Sequence, residues 1–369
     1  MATPVIPFND LSVRYAAHAA ELGAAARRVI NSGWVVMGRE LSAFESTFAD
    51  YVGAPHCIGV ASGTDALELG LRSVGVGAGD RVALVANAAM YGYTALQAIG
   101  AIPVFMDVDA GSHCATAAGV ERALDEGVRA VLVTHLYGQL CPDIEAIAAL
   151  CDARGVALFE DCAQAHGARR DGRNAGTFGA AASFSFYPTK NLGAIGDGGA
   201  VVCRDDDTAD MLRALRQYGW SEKYTVTRAH GRNSRLDEMQ AAFLSIFLPQ
   251  LDADNAARRT VARRYTDGIG HPRVITPPLG CEDHVAHLYV VQCDDRAGLR
   301  EHLRAHGVAT DIHYPVPDHH QPILRERYGS VSLPVTERLC DTVLSLPCFP
   351  GLRDDQVDAV IDAVNGWAA

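Results

Sequence analysis

Short apolar runs alternate with stretches of helical periodicity between about residues 55 and 205. The longer of these helical stretches, "TDALELGLRSVG", places Ala66, Leu67, Leu71 and Val74 on one face, and "YTALQAIG" also predicts a helix. Strands that alternate with helices predict an α/β fold, in which a mostly parallel sheet is sandwiched by helices. The predicted strands are "CIGVAS", "DRVALVAN", "IPVFMDVD", "RAVLVTHLYG", "VALFEDCA", "AASFSFY" and "GGAVVC".

The pattern changes after about residue 250. An arginine-rich helical stretch, "QLDADNAARRTVARRYTDGI", leads to the apolar run "HLYVVQC", the helix "RAGLREHLRAHG" and the segment "VATDIHYP". We therefore expect a large α/β domain over residues 1–249 and a smaller α+β domain over residues 250–369, joined by a helix near 237–265.

Composition narrows the class of protein. The net charge of −12 argues against a nucleic-acid surface, which needs a basic patch. The chain shows no signal-peptide pattern and no apolar run long enough to cross a membrane. Its ten cysteines are scattered without a CxxC pair, which predicts reduced thiols and a cytoplasmic location. His313, His319 and His320 are crowded, but no cysteine or carboxylate follows at a metal-ligand spacing, so we expect no metal site.

Polar residues stand at the predicted ends of two strands, where parallel sheets bind their ligands. In "ASGTDAL", Ser62, Gly63 and Thr64 separate a strand from a helix, and free N–H groups there would bind an anion. Ordinary helix capping explains the same residues. In "VALFEDCAQAHGA", Glu160 and Asp161 end a buried strand and require a cationic partner, either a protonated ring nitrogen or an arginine.

Lys190 is one of only two lysines in a chain with thirty arginines, the other being Lys223. An arginine stays protonated, whereas a lysine amine attacks a carbonyl once burial or a nearby cation lowers its pKa. Ser183 and Ser185 precede Lys190 on one face of a predicted strand. The glycine-rich run "GAIGDGGA" follows it and leads into a strand, which fits a tight turn rather than a dinucleotide fingerprint. An exposed surface lysine is the alternative.

Taken together, an anion cradle, an aspartate and a reactive lysine are the groups that bind pyridoxal 5′-phosphate. The segments "EDCAQAHGA", "GTFGAAASFSFYPTKNLGAIGDGGAVV" and "GRNSRLDEMQAAFL" resemble the DegT/DnrJ/EryC1/StrS sugar aminotransferases, which have the fold type I of pyridoxal phosphate enzymes. The resemblance runs from "GWVVMGRELSAFESTFADYVGA" to "DIHYPVPDHHQP".

This resemblance implies a role for each matching residue. Lys190 would form the internal aldimine with the cofactor, and the cofactor would pass through its pyridoxamine phosphate form during turnover. Asp161 would pair with the pyridinium nitrogen, and Gln164 would reach the ring hydroxyl. The phosphate would be held by Gly63, Thr64 and Ser185.

Four further residues are implied by the same resemblance. Asn233 would reach the phosphate of the neighbouring subunit, which predicts a homodimer with shared active sites. Tyr91 would stack on the cofactor ring, although "ANAAMYGY" departs from the commoner proline-containing form. Tyr187 and His313 would line the sugar site, or else be ordinary packing or surface residues.

The wording around Lys190 is similar to the branch that makes 3-amino-3,6-dideoxyhexoses on dTDP, with glutamate as amino donor. The resemblance therefore favours amination at the C3 ketone of a dTDP-linked 6-deoxyhexose. Amination at C4, a cyclitol substrate such as scyllo-inosose, and a non-catalytic regulator that binds the cofactor are the alternatives. Retention of Lys190, Asp161 and Gln164 together argues against the regulator.

Overall fold

The computed structural model of this chain describes residues 5–368, so residues 1–4 and 369 of the predicted domains lie outside it. Each apolar run named above contributes a strand. The strands are β1 (His56–Val60), β2 (Arg81–Val85), β3 (Ile102–Met106), β4 (Ala130–Thr134), β5 (Ala157–Asp161), β6 (Arg169–Arg170), β7 (Arg173–Asn174), β8 (Ala181–Ser185), β9 (Gly199–Cys203), β10 (Trp220–Glu222), β11 (Thr225–Val226), β12 (Tyr289–Gln292) and β13 (Val343–Leu346).

The helices follow the predicted alternation with the strands. They are α1 (Leu11–Ala17), α2 (Ala19–Ser32), α3 (Arg39–Val52), α4 (Gly63–Ser73), α5 (Tyr91–Ile99), α6 (Ala117–Asp125), α7 (Ile144–Arg154), α8 (Asp206–Leu215), α9 (Glu238–Phe247), α10 (Leu251–Gly268), α11 (Arg296–Ala305), α12 (Arg325–Tyr328), α13 (Pro334–Thr342) and α14 (Asp354–Asn365). Over residues 5–368, no helix combines the length and the apolar content that crossing a bilayer requires.

Seven strands form the central sheet in the order β1-β9-β8-β5-β4-β2-β3. The strands from β8 to β3 pair in parallel, and only β9 runs antiparallel to its neighbours β8 and β1. Alternate residues of β4 enter different apolar clusters, with Val131 and Val133 in one and Ala130 and Leu132 in the other. Both faces of the sheet are therefore covered, which confirms the predicted α/β architecture.

The helix predicted near residues 237–265 is in fact two helices. α9 ends at Phe247, a single 3₁₀ turn spans Leu248–Gln250, and α10 begins at Leu251. Pro249 stands inside that turn, and it has no backbone N–H to continue the hydrogen bonding of α9.

The C-terminal part of the chain has its own apolar cluster, which includes Tyr265, Tyr289 and Trp367. Its strands β12 and β13 pair antiparallel, and helix α14 contacts both α10 and α11. Ile6 also belongs to this cluster and forms a parallel bridge with Val308, so the N-terminal segment crosses to the C-terminal part. The boundary between residues 249 and 250 stays a prediction.

Candidate active site

A cavity of about 570 Å³ opens at one edge of the central sheet. The carboxyl ends of β1, β5 and β8 meet at this edge, together with the amino end of the antiparallel β9. The cavity is lined by nine of the ten predicted site residues, namely Gly63, Thr64, Tyr91, Asp161, Gln164, Ser185, Tyr187, Lys190 and His313. Asn233 is the one that does not line it.

The turn after β1 presents backbone N–H groups to the cavity. Ser62 is the N-cap of α4, and its hydroxyl accepts a hydrogen bond from the N–H of Asp65 at 3.1 Å. Ser62 therefore caps the helix, which was the alternative explanation of this turn. Gly63 and Thr64 nevertheless occupy the first turn of α4, where helical geometry leaves backbone N–H groups without an intrahelical partner. Both residues line the cavity, so this helix start can bind an anion.

Gly63 fits against the end of β8 because it has no side chain. A Cβ at residue 63 would lie 2.5 Å from the Cβ of Ser185 and 2.9 Å from its hydroxyl oxygen. Gly199 approaches the same turn, since a Cβ there would lie 2.4 Å from the carbonyl oxygen of Ser62. These two glycines bring the hydroxyl of Ser185 next to the N–H groups of α4.

Glu160 and Asp161 point to opposite faces of β5, as consecutive strand residues do. Glu160 is fully buried away from the cavity, where its carboxylate lies 2.9 Å from Nε2 of His135 and accepts hydrogen bonds from three backbone N–H groups. Asp161 lines the cavity and is 6% exposed. Burial raises the pKa of Asp161, and the nearby Lys190 opposes that rise.

Lys190 is carried by the loop between β8 and β9. Its backbone N–H donates to the carbonyl oxygen of Tyr187 at 2.8 Å, and Gly193 turns so closely that a Cβ there would lie 2.3 Å from the carbonyl oxygen of Pro188. Burial of the side chain lowers the pKa of Lys190 to about 8, although Asp161 works to raise it. A larger fraction of this amine is therefore neutral near neutral pH than for an exposed lysine, although the protonated form still predominates below about pH 8.

Gln164 has a fixed amide orientation. Its Oε1 accepts a hydrogen bond from the N–H of Tyr137 at 2.6 Å, so its Nε2 faces the cavity and donates to the hydroxyl of Tyr314 at 3.1 Å. Tyr314 was not predicted, although it directly follows His313 in "DIHYP". Its burial raises the pKa of the phenol, which keeps the hydroxyl protonated.

A buried polar network lies beside Lys190 and begins at the next residue, Asn191. The side-chain Nδ2 of Asn255 donates to the carbonyl of His166, and the side-chain Nδ2 of Asn191 donates to Oδ1 of Asn255, each at 2.8 Å. The Oδ1 of Asn191 then faces Nδ1 of His287 at 2.9 Å, so His287 donates from that nitrogen. His287 lines the cavity, and burial lowers its pKa, which makes it a neutral ring beside Lys190. Sequence reasoning missed His287 because it lies in a strand-like apolar run.

Tyr91, Tyr187 and His313 occupy the outer part of the site. Tyr91 and Tyr187 line the cavity and are 51% and 53% exposed. Nδ1 of His313 lies 2.8 Å from the hydroxyl of Ser345, and its ring stacks on Phe8 with 5.7 Å between centroids. Phe8 and its neighbour Asn9 also line the cavity. Their position near the N-terminus did not indicate from sequence that they would reach the site.

Ser183 shares a strand face with Ser185 but differs from it in its surroundings, and one expectation about the crowded histidines needs correction. Ser183 is buried and its hydroxyl donates to the carbonyl of Glu160 at 3.4 Å, so it does not join Ser185 in the cavity. A carboxylate does lie near the crowded histidines, because α13 brings Oε1 of Glu337 to 3.2 Å from Nε2 of His319. That a metal is not required stays a prediction.

The model of the DegT/DnrJ/EryC1/StrS aminotransferase family matches residues 17–365. The chain belongs to this family. It is 46% identical over 360 residues to the dTDP-3-amino-3,4,6-trideoxy-alpha-D-glucose transaminase of Micromonospora megalomicea subsp. nigra, with 96% of each chain covered. It is 41% identical to the dTDP-3-amino-3,6-dideoxy-alpha-D-galactopyranose transaminase of Aneurinibacillus thermoaerophilus, over 98% of this chain and 99% of the relative.

A solved structure of DesV from S. venezuelae, in complex with a ketimine intermediate, superposes with a TM-score of 0.95. The two sequences are 44% identical, and 99% of each chain is covered. These comparisons confirm the expected fold type I and the pyridoxal phosphate-dependent aminotransferase activity of the family.

The residues present fit the cofactor of this aminotransferase family. The first turn of α4 and the hydroxyl of Ser185 form a cradle that a Cβ at Gly63 would fill. The amine of Lys190 and the carboxylate of Asp161 open into the same cavity. An anion site, an acceptor for a protonated ring nitrogen and an amine with a lowered pKa are the three groups that pyridoxal phosphate requires.

Asn233 lies outside the cavity of its own chain, with an exposed side chain. The next residue, Ser234, is buried and bonds to the turn between β1 and α4, because its hydroxyl accepts from the N–H of Ala61 at 3.1 Å and donates to Asp65 at 2.6 Å. Asn233 is therefore held at the surface close to α4, and its role stays a prediction.

Proposed function

We propose that this chain transfers an amino group from glutamate to the C3 ketone of a dTDP-linked 6-deoxyhexose. The observation that carries the proposal is the match to relatives named as dTDP-3-amino-sugar transaminases, which extends over 96% or more of this chain. The cavity supplies a lysine amine and cofactor-binding groups at one sheet edge, as such a transfer requires. A cyclitol substrate and amination at C4 are not favoured by these relatives.

We assign the predicted residues to the cofactor and substrate as follows. The N–H groups of Gly63 and Thr64 and the hydroxyl of Ser185 hold the phosphate, and the carboxylate of Asp161 accepts from the protonated ring nitrogen. The Nε2 of Gln164 donates to the ring hydroxyl. Tyr91 covers the ring, while Tyr187 and His313 face the sugar at the open end of the cavity.

The chemistry of the bound cofactor is to withdraw electrons from the carbon that carries the transferred nitrogen. Asp161 sustains this withdrawal because its carboxylate keeps the ring nitrogen protonated. Nζ of Lys190 takes the proton from the α-carbon of glutamate and, in the second half of the reaction, supplies a proton to C3 of the sugar. A pKa of about 8 suits both transfers, since the amine gains and loses its proton near neutral pH.

We also propose that the chain forms a homodimer with shared active sites. The cavity is lined by one lysine and three aspartates, although glutamate and a dTDP-sugar are both anionic. The segment over residues 221–230 is exposed throughout and contains Lys223 and Arg228. Tyr224 is 76% exposed and Trp34 is 63% exposed, and such exposed apolar groups suit a contact with a second copy. That copy would place Asn233 and cationic groups over the cavity.

A reducing, cytoplasmic location is also proposed. All ten cysteines are free, and nine of them are buried. Free thiols in this number suit a compartment in which disulfides do not form.

The function is tested with purified enzyme, glutamate and a panel of ketones. The panel contains dTDP-3-keto-6-deoxyhexoses with and without a hydroxyl at C4, a dTDP-4-keto-6-deoxyhexose and scyllo-inosose. We expect glutamate to bleach the yellow cofactor colour, and only the 3-keto sugars to restore it and give an amino sugar by mass spectrometry. Preference for the 4-keto sugar or for scyllo-inosose would contradict the proposed substrate but not the enzyme class.

A further inference from the structure

The loop that delivers Tyr91 to the cavity has an unfavourable backbone conformation. It spans residues 86–90 between β2 and α5, and two consecutive residues, Ala89 and Met90, have φ values of 60° and 67°. Residues other than glycine rarely adopt this left-handed region, so neighbouring contacts must hold the loop in place. The sequence has no glycine or proline at residues 86–90 that would set this conformation locally.

Asp318 bonds to both ends of this loop. Its backbone N–H donates to the carbonyl oxygen of Ala86 at 2.8 Å, and its side-chain Oδ1 accepts from the N–H of Met90 at 2.9 Å. Met90 is the N-cap residue of α5, and Tyr91 is the first residue of that helix. The second bond therefore fixes the backbone immediately before the tyrosine.

The hydrogen bond to Met90 is the one evident reason, within the described part of the chain, for a buried carboxyl group at Asp318. The residue is 1% exposed, and Oδ2 has no hydrogen-bond partner among residues 5–368. No ion pair with Asp318 occurs in the same part of the chain. A buried carboxyl group without a cation costs stability, so its contact with Met90 is its evident contribution.

We propose that Asp318 is a positioning residue that holds Tyr91 over the cofactor by fixing the left-handed loop over residues 86–90. The proposal rests on the proposed contact of Tyr91 with the cofactor ring. Asp318 also lies on the segment that carries His313 and Tyr314, so one segment of the C-terminal part sets both the sugar side and the ring side of the cavity.

The variants are chosen to keep or remove the acceptor of the hydrogen bond from the N–H of Met90. Asn keeps an oxygen acceptor for the N–H of Met90, whereas Leu has a similar shape and no acceptor. Oδ1 accepts in either protonation state, so the loss of charge in Asp318→Asn should be tolerated. Asp341→Asn, at an exposed position on α13, serves as the control.

The experiment is a double-mutant cycle on the full-length enzyme, with the dissociation constant of pyridoxal phosphate and the kcat and KM for glutamate as readouts. We expect Asp318→Leu to weaken cofactor binding up to about tenfold, the upper range for one lost hydrogen bond of about 0.5–1.5 kcal/mol. Asp318→Asn and Asp341→Asn should stay near wild type. In a Tyr91→Ala background, Asp318→Leu should add almost nothing, because both changes remove the same contact.

Two results would overturn the proposal. One is an equally large effect of Asp318→Leu with and without Tyr91, and the other is no effect of Tyr91→Ala on cofactor binding. If the leucine variant does not fold, Asp318→Ser takes its place, since its side chain is one atom shorter and draws the acceptor back from the N–H of Met90. Cofactor affinity is measured without a sugar, so an error in the proposed sugar would leave this result unaffected.

Discussion

The turn after β1 and the end of β8 touch at Gly63 and Ser185, where an added Cβ on the glycine would lie 2.5 Å from the Cβ of the serine. Gly63→Ala should therefore push the phosphate cradle open. We expect the variant to lose about 1–3 kcal/mol in the free energy of unfolding, as overpacked sites do, and to bind pyridoxal phosphate more weakly. Urea unfolding of the apoenzyme and a cofactor titration measure the two effects.

The control for this prediction is Gly270→Ala. A methyl group added at Gly270 would have no atom within 4 Å, and this glycine does not require the left-handed region. The variant should unfold and bind cofactor like the wild type. Equal behaviour of the two alanine variants would show that the contact of Gly63 with Ser185 relaxes freely.

The titration of Lys190 in the apoenzyme is the second prediction. Reaction of its amine with an acylating reagent should reach half its maximal rate near pH 8, against about 10.5 in the denatured chain. Asp161→Asn should move this midpoint lower still, because the carboxylate raises the pKa of the amine. Peptide mapping by mass spectrometry separates Lys190 from Lys223, the only other lysine.

The same shift has a consequence for stability. Between about pH 8 and pH 10.5 the unfolded chain still binds the proton at Lys190, whereas the folded chain has lost it. The contribution of this lysine to apoenzyme stability should therefore increase as the pH rises through that window. A Lys190→Met variant should lack this increase, and its persistence in that variant would assign the effect to another group.

Asp161→Asn is predicted to keep some cofactor and to lose most activity. Asparagine can hydrogen-bond to the ring but does not hold a proton on its nitrogen as a carboxylate does. A loss of two orders of magnitude in turnover would correspond to about 2.7 kcal/mol of barrier. Steady-state kinetics at saturating cofactor measure it, and near wild-type turnover would mean that Asp161 serves only to cap the strand.

Mixed dimers test the proposed sharing of sites. Lys190→Arg removes the reactive amine, and Asn233→Asp places a negative charge against the partner's phosphate, so each homodimer should be nearly inactive. In a mixed dimer both changes fall in one site, and the other site is intact. We expect mixing to restore activity toward one good site per mixed dimer.

The mixing experiment requires differently tagged subunits, so that heterodimers can be isolated and counted. If isolated heterodimers stay inactive, Asn233 acts within its own chain or not at all. Lys223→Arg serves as the control, because Lys223 does not line the cavity of its own chain and arginine keeps the positive charge that the second copy would contribute.

The fold was predictable because its strands are short, buried on both faces and separated by helices of regular period. The strand ends also indicated where Asp161 and the turn over residues 62–64 would meet. The break between α9 and α10 was missed because periodicity continues across Pro249, and only the missing N–H interrupts it. The small strand pairs β6–β7 and β10–β11 are too short to produce a pattern.

The site was predictable where a residue type has a chemical reason to be present, as for Lys190 and Asp161. Tyr314, His287 and Phe8 were missed for a different reason. Their contribution depends on which segments fold against the sheet edge, and aromatic or histidine residues in apolar runs are ordinarily core residues. Glu337 reaches His319 from another helix, so its position could not be inferred from spacing.

The reversed direction of β9 bears on the order in which the site assembles. Lys190 lies in a hairpin whose arms pair locally, with Ser185 opposite Gly199, whereas the turn proposed to bind the phosphate is placed by pairing of β9 with the distant β1. Local pairs close at a smaller entropic cost than distant ones. We therefore expect the hairpin that carries Lys190 to form, during refolding, before the turn that would bind the phosphate. The vitamin-derived group would then bind late and could not guide the early steps of folding.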